Sequence, residues 1–84
     1  DTPISVLLVD DHAVVREGYR RLIERHPPLT IAAEAGSGEE AYRRYVELAP
    51  DVVVMDITLP GASGIQTLQH ILQRDRDARV LIFT

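Results

Sequence analysis

Val52-Val53-Val54-Met55-Asp56-Ile57-Thr58-Leu59-Pro60-Gly61 is a short apolar run that ends in a carboxylate and then in a proline-glycine turn. A run of this length bounded by turn signals reads as a strand buried on both faces. Asp56 then lies where the strand emerges, at the carboxyl edge of a parallel sheet, and open α/β sheets place their ligand sites at that edge. A second run, Ile4-Ser5-Val6-Leu7-Leu8-Val9, ends in Asp10-Asp11. If the two strands are parallel neighbours, three carboxylates meet at one end of the sheet.

The rest of the sequence supplies the alternation such a sheet needs. A helix is expected from Asp11 or His12 to about His26, where Pro27-Pro28 stops it. Val14, Val15, Gly18, Leu22 and Ile23 form its inward face, with Gly18 allowing helix and sheet to approach closely. Arg16, Glu17, Arg20, Arg21 and Glu24 fall outside that face. Leu29–Ala35 is a weaker strand, placed near a sheet edge by its shortness and by Glu34. Ser37 and Glu40 match a capping box and open a helix to about Ala49, with Ala41, Tyr45 and Leu48 inward. Ser63 and Gln66 match a second one, opening a helix to about Arg74 with Ile65, Leu68, Ile71 and Leu72 inward. Residues 79–83 form a last strand. Strand and helix alternate throughout, which implies a parallel sheet with right-handed crossovers.

Composition narrows the chemistry. With 84 residues the chain makes one small domain, and 45% apolar with 26% charged residues is ordinary for a globular fold. There is no cysteine, hence no disulfide framework and no thiolate metal site. No apolar run approaches the ~20 residues of a membrane span, and a cytoplasmic location is expected. Net charge is −4, and the nine basic residues are all arginines scattered along the helices, which argues against direct nucleic-acid binding by this segment.

Three converging carboxylates repel one another unless a cation lies between them. With no cysteine or histidine at ligand spacing, the cluster suits Mg²⁺ or Mn²⁺ rather than zinc. Beside a bound cation an aspartate oxygen can attack phosphorus and form an aspartyl phosphate. His12, next to the acidic pair, is expected at the helix start with its ring toward solvent, and His26 and His70 at the surface. A competing reading is a dinucleotide-binding module, since Gly36-x-Gly38-x-x-Ala41 fits the Gly-rich fingerprint and Asp56 stands where a ribose ligand would. Glu39 and Glu40 in the first helical turn oppose it, because a pyrophosphate would meet negative charge there.

The motifs Val6-Leu7-Leu8-Val9-Asp10-Asp11-His12-Ala13-Val14-Val15-Arg16-Glu17-Gly18 and Val53-Val54-Met55-Asp56-Ile57-Thr58-Leu59-Pro60-Gly61-Ala62-Ser63-Gly64 closely resemble the receiver domain of bacterial two-component response regulators. The Asp-Asp-His-x-x-x-Arg-x-Gly run is similar to the NarL/FixJ-like branch, whose members carry a LuxR-type DNA-binding output domain. The resemblance spans residues 1–84 and implies a flavodoxin-like doubly wound α/β sheet with its first four strands and three helices. It implies that Asp56 accepts a phosphoryl group from a histidine kinase. It implies Mg²⁺ held by Asp11, Asp56 and the Thr58 backbone carbonyl, with Asp10 acting through a metal-bound water. Thr84 would be the switch hydroxyl, and the Thr58 side chain would tune phosphoryl lifetime. Such a protein is no enzyme toward other substrates, although it assists its own phosphotransfer and dephosphorylation.

Family members continue with a fourth helix, a fifth strand ending in a phosphoryl-binding lysine, and a fifth helix. This sequence has no lysine, and the expectation is a receiver domain truncated at its C-terminus. The last strand would then have a bare edge, and the sheet face over Leu7 and Val53 no covering helix. Both would favour a homodimer or swapped oligomer. A phosphate-independent interaction module with the same fold is a further alternative, one that would not need the acidic triad.

Overall fold

The computed structural model describes residues 2–59 and 64–83. Its elements are β1 (Ile4–Val9), α1 (Ala13–Glu24), β2 (Leu29–Ala35), α2 (Gly38–Leu48), β3 (Val52–Asp56), α3 (Gly64–Arg74) and β4 (Val80–Phe83). The strands form one sheet in the order β2-β1-β3-β4, and every pairing is parallel. Chain reversal at β1, with β2 on one side and β3 on the other, is the doubly wound topology. It places β1 and β3 side by side at the centre of the sheet.

Alternation along the strands assigns the two faces. Leu7, Val9, Val53 and Met55 pack with Ala41 and Tyr45 of α2 and Ile71 of α3 into the main core. On the other face, Leu8, Val54 and Leu81 lie in register across three strands. There α1 packs chiefly on β2 and β1, and its Tyr19 ring meets Phe83 at 4.7 Å between centroids. The β1–β2 register shifts between Val6 and Leu7, so that Leu8 faces Glu34. A one-residue slip exchanges the faces of a strand. It brings Glu34 to the α1 side, where Arg16 and Arg20 reach its carboxylate at 2.9 and 3.4 Å.

Several sequence expectations are corrected here. The face over Leu7 and Val53 is the best covered in the molecule, both residues being fully buried beneath α2 and α3. The open ground is the opposite face, where Leu81 is 63% exposed. One helix lying over β1 and β2 does not shield the β3–β4 half. For the same reason β3 is closed on one face only, Val52 and Val54 remaining half-buried. Gly18 allows no close approach, since a Cβ built there meets nothing within 4 Å.

Helix α1 stops at Glu24, two residues before the expected end, because the residue preceding Pro27 is pushed out of the helical region. Leu22, Leu48, Ile65 and Leu72 are exposed. In α3 the inward face is Gly64, Thr67 and Ile71, a rotation of the expected stripe that buries a threonine. Ser37 caps α2 as expected, accepting from the Glu40 amide at 3.2 Å. Glu40 returns its bond to Gly36 rather than to Ser37, at 2.8 Å. Ser63 of the second capping box lies outside the described residues.

Tyr45 joins α2 to the end of α3 by donating its hydroxyl to Asp75 Oδ2 at 2.9 Å. Burial first, then the hydrogen bond and the charge of Asp75, push the phenol up to about 12. The folded state thus holds a proton that the unfolded chain releases near pH 10. That contribution is complete below about pH 10 and is lost as pH rises from 10 to 12. Tyr45→Phe is expected to cost about 1 kcal/mol at pH 8. Its urea midpoint should fall less than the parent's between pH 9.5 and 11.5, and equal slopes would contradict the assignment.

Candidate functional site

The β1–β3 ladder pairs Val9 with Met55, so Asp10, just past the end of β1, and Asp56, the last residue of β3, stand side by side at one edge of the sheet. Each is fixed by main-chain bonds to the adjoining strand. The Asp10 amide donates to Ala35 at 3.0 Å and the Ile57 amide to Phe83 at 2.9 Å. Both side chains are buried, at 1% and 5% exposure, while Asp11 and His12 remain at the surface.

The two buried aspartates shape the loops that follow them in the same way. Asp10 Oδ1 accepts the His12 amide at 2.7 Å, and Asp56 Oδ1 accepts the Thr58 amide at 2.9 Å. Bonds of this kind to an amide two residues on close an Asx turn. Thr58 also donates its hydroxyl to the same Asp56 oxygen at 2.8 Å. These contacts occupy Oδ1 of each carboxylate and leave Oδ2 outside the turn.

Arg16 braces the site from behind. Its Nη1 donates to the Asp10 carbonyl at 2.7 Å while its Nε holds Glu34 at 2.9 Å. The guanidinium thus meets the Asp10 main chain rather than the carboxylates. Among the described residues, the one basic group in a salt bridge with Asp10 or Asp11 is His12, whose Nδ1 lies 3.2 and 2.9 Å from their Oδ1 atoms. Asp10, Asp11, His12 and Asp56 each offer a ligand atom, and these four atoms lie within 4.8 Å of one another. A crowded, partly buried acidic set fits a divalent cation, which removes the repulsion and accepts hard oxygen donors.

The expected convergence of Asp10, Asp11 and Asp56 is therefore present. His26 and His70 are at the surface as expected, and Thr84 lies outside the described residues. His12 is corrected in one respect: its ring is 65% exposed, yet Nδ1 turns into the acidic cluster. The dinucleotide reading fails. Glu40 occupies the Gly36 amide, Ser37 holds the Glu40 amide, and β1 separates the β2–α2 turn from Asp56.

Sequence reasoning missed Gly64. A Cβ built there falls 2.7 Å from Ile57 Cα and 2.9 Å from the Asp56 carbonyl oxygen. The first turn of α3 thus rests directly on the backbone that carries Asp56. Its signal was a glycine opening a helix behind a serine. Gly64→Ala is expected to destabilise the fold by about 1–3 kcal/mol, because backbone rather than a flexible side chain must yield. Denaturant unfolding at constant slope would measure it, and an unchanged midpoint would contradict the contact.

Comparison with known proteins agrees with this geometry. Residues 6–84 match the family model for the response regulator receiver domain. The chain is similar to the DNA-binding transcriptional activator DevR/DosR of Mycobacterium tuberculosis, 44% identical over 81 residues, covering 96% of this chain and 37% of that protein. The crystal structure of a LuxR-family two-component response regulator from Aurantimonas sp. SI85-9A1 superposes with a TM-score of 0.94 at 58% identity, covering 99% of this chain and 59% of that one. CheY of Borrelia burgdorferi, crystallised with CheX, BeF3 and Mg²⁺, superposes with a TM-score of 0.90 at 33% identity, covering 95% and 60%. The chain belongs to the response regulator receiver domain family, the phosphoacceptor module of two-component signalling. It spans 37–39% of the length of the first curated relatives it matches.

Proposed function

We propose that Asp56 is the phosphoacceptor and that Asp11, Asp56 and the Thr58 carbonyl hold Mg²⁺, with Asp10 bound through a water. The observation that carries this reading is the placing of Asp10 and Asp56 side by side at the ends of adjacent strands, with ligand atoms of Asp11 and both buried aspartates inside one 4.8 Å cluster. The CheY relative crystallised with BeF3 and Mg²⁺ supports the same chemistry.

Thr58 anchors Asp56 Oδ1 through its amide and hydroxyl, so Oδ2 is the attacking atom. Its lone pair forms the new P–O bond as the P–N bond of a phosphohistidine breaks, and the donor imidazole departs with that electron pair and takes up a proton. Mg²⁺, when bound, supplies positive charge to the phosphoryl oxygens. Arg16 keeps the Asp10 main chain in place, and Gly64 keeps α3 seated under Asp56. The same carboxylates assist hydrolysis of the acyl phosphate, with the Thr58 side chain setting its lifetime and Thr84 acting as the switch hydroxyl.

The phosphodonor partner is a histidine kinase. The protein works in the cytoplasm as a homodimer or swapped oligomer, and reaches DNA through a LuxR-type output domain. Among the described residues, no helix is long and apolar enough to cross a membrane. The intact acidic cluster argues against a phosphate-independent module.

Incubation with Mg²⁺ and acetyl phosphate, followed by intact mass spectrometry and peptide mapping, tests the proposal. One phosphoryl group on the peptide containing Asp56 is expected. No incorporation, or incorporation on another residue, would overturn it.

A further inference from the structure

We propose that His12 supplies a nitrogen ligand to the acidic site and biases it toward Mn²⁺, Ni²⁺ and Zn²⁺ relative to an all-oxygen site. The inference rests on the metal-site reading above and adds a specificity residue to it. Three observations carry it.

His12 occupies the N-cap position of α1 in extended conformation, yet its side chain makes no capping bond to the helix. Its amide is instead spent on Asp10 Oδ1 at 2.7 Å, which ties the residue's backbone to the acidic cluster. Its Nδ1 is then brought to 3.2 Å from Asp10 Oδ1 and 2.9 Å from Asp11 Oδ1. An imidazole nitrogen held between two carboxylates at these distances is placed to join them around one cation.

The dimensions suit coordination. Ligands opposite one another around a first-row divalent cation are separated by about 4.2 Å, and the four ligand atoms already lie within 4.8 Å. Closure needs movements of a few tenths of an ångström, and a ring 65% exposed can make them without disturbing the core. The chemistry gives the selectivity. Mg²⁺ keeps to oxygen and gains little from imidazole, whereas affinity for nitrogen-containing sites rises along the first row.

The test is calorimetric titration of the protein and of His12→Gln with Mg²⁺ and with Ni²⁺, alongside a His70→Gln control on the exposed surface of α3. His12→Gln is expected to weaken Ni²⁺ binding by at least the ~10–100-fold that loss of an outer partner costs, to leave Mg²⁺ affinity within about twofold, and to match the parent in circular dichroism. The His70 variant should bind both metals as the parent does. Electron spin-echo spectroscopy of the Mn²⁺-loaded protein should show a coupled ¹⁴N that disappears in His12→Gln. Undiminished Ni²⁺ affinity in His12→Gln with no coupled nitrogen in the parent, while Mg²⁺ still binds, would overturn the role of His12 alone. Absence of binding by every metal would overturn the metal-site reading with it.

Discussion

Asp56→Ala is expected to abolish phosphoryl incorporation, with neither neighbouring carboxylate taking over. The structure gives the reason for each. Asp10 is buried at 1% exposure, and its Oδ1 holds the His12 amide and the His12 ring. Asp11 is at the surface beyond the strand end, where its Oδ1 meets the His12 ring. Asp56 is buried with its Oδ1 held by the Thr58 amide and hydroxyl alone, whereas Oδ1 of Asp10 is shared with an imidazole that also meets Asp11. Loss of an oriented nucleophile forfeits a proximity advantage of up to ~7–11 kcal/mol. Intact mass after acetyl phosphate treatment measures it, and residual labelling above a few per cent of the parent would contradict the assignment.

Asp11→Asn should have opposite effects with and without metal. In the metal-free protein, removing one of three carboxylates that lie within 4.8 Å of one another relieves repulsion. About 1–3 kcal/mol of added stability is expected, the range spanned by high and intermediate effective dielectric. With Mg²⁺ at ~100 times its dissociation constant, the parent gains about 2.7 kcal/mol from binding. A domain of this size translates that into a rise in Tm of roughly 10–20 °C. The variant should show little of this rise, because it has lost a ligand and with it more than the ~10–100-fold in affinity that an outer partner contributes. Thermal unfolding of both proteins with and without Mg²⁺ reads the two effects together. A variant less stable than the parent without metal, or equally stabilised by Mg²⁺, would show that the carboxylates do not share one site.

The strands were readable from the sequence as short, mostly apolar runs, two of them ending at a residue that leaves the sheet. Ile4–Val9 and Leu29–Ala35 have the expected bounds, with Asp10 and Gly36 marking their ends. The position of Asp10 and Asp56 followed directly, since a residue after a buried parallel strand has one place to go. Helix burial was less readable. Periodicity identifies a stripe but not what covers it: Leu22, Ile65 and Leu72 remain exposed, although Ile71 of the same stripe as Ile65 and Leu72 is fully buried. The register shift at Val6 and Leu7 has no local signature, so the face of Glu34, and the Arg16 bridge that depends on it, could not be inferred. The contact beneath Gly64 is likewise a matter of two elements distant in neither sequence nor space but joined through main chain.

The account stands on a single divalent cation shared by carboxylates from the ends of β1 and β3. Crystals grown with Mn²⁺ and measured for anomalous scattering locate such an ion directly. One peak is predicted, in contact with side-chain oxygens of Asp11 and Asp56 and beside Asp10. A peak at the opposite end of the sheet, or none at saturating Mn²⁺, would contradict it.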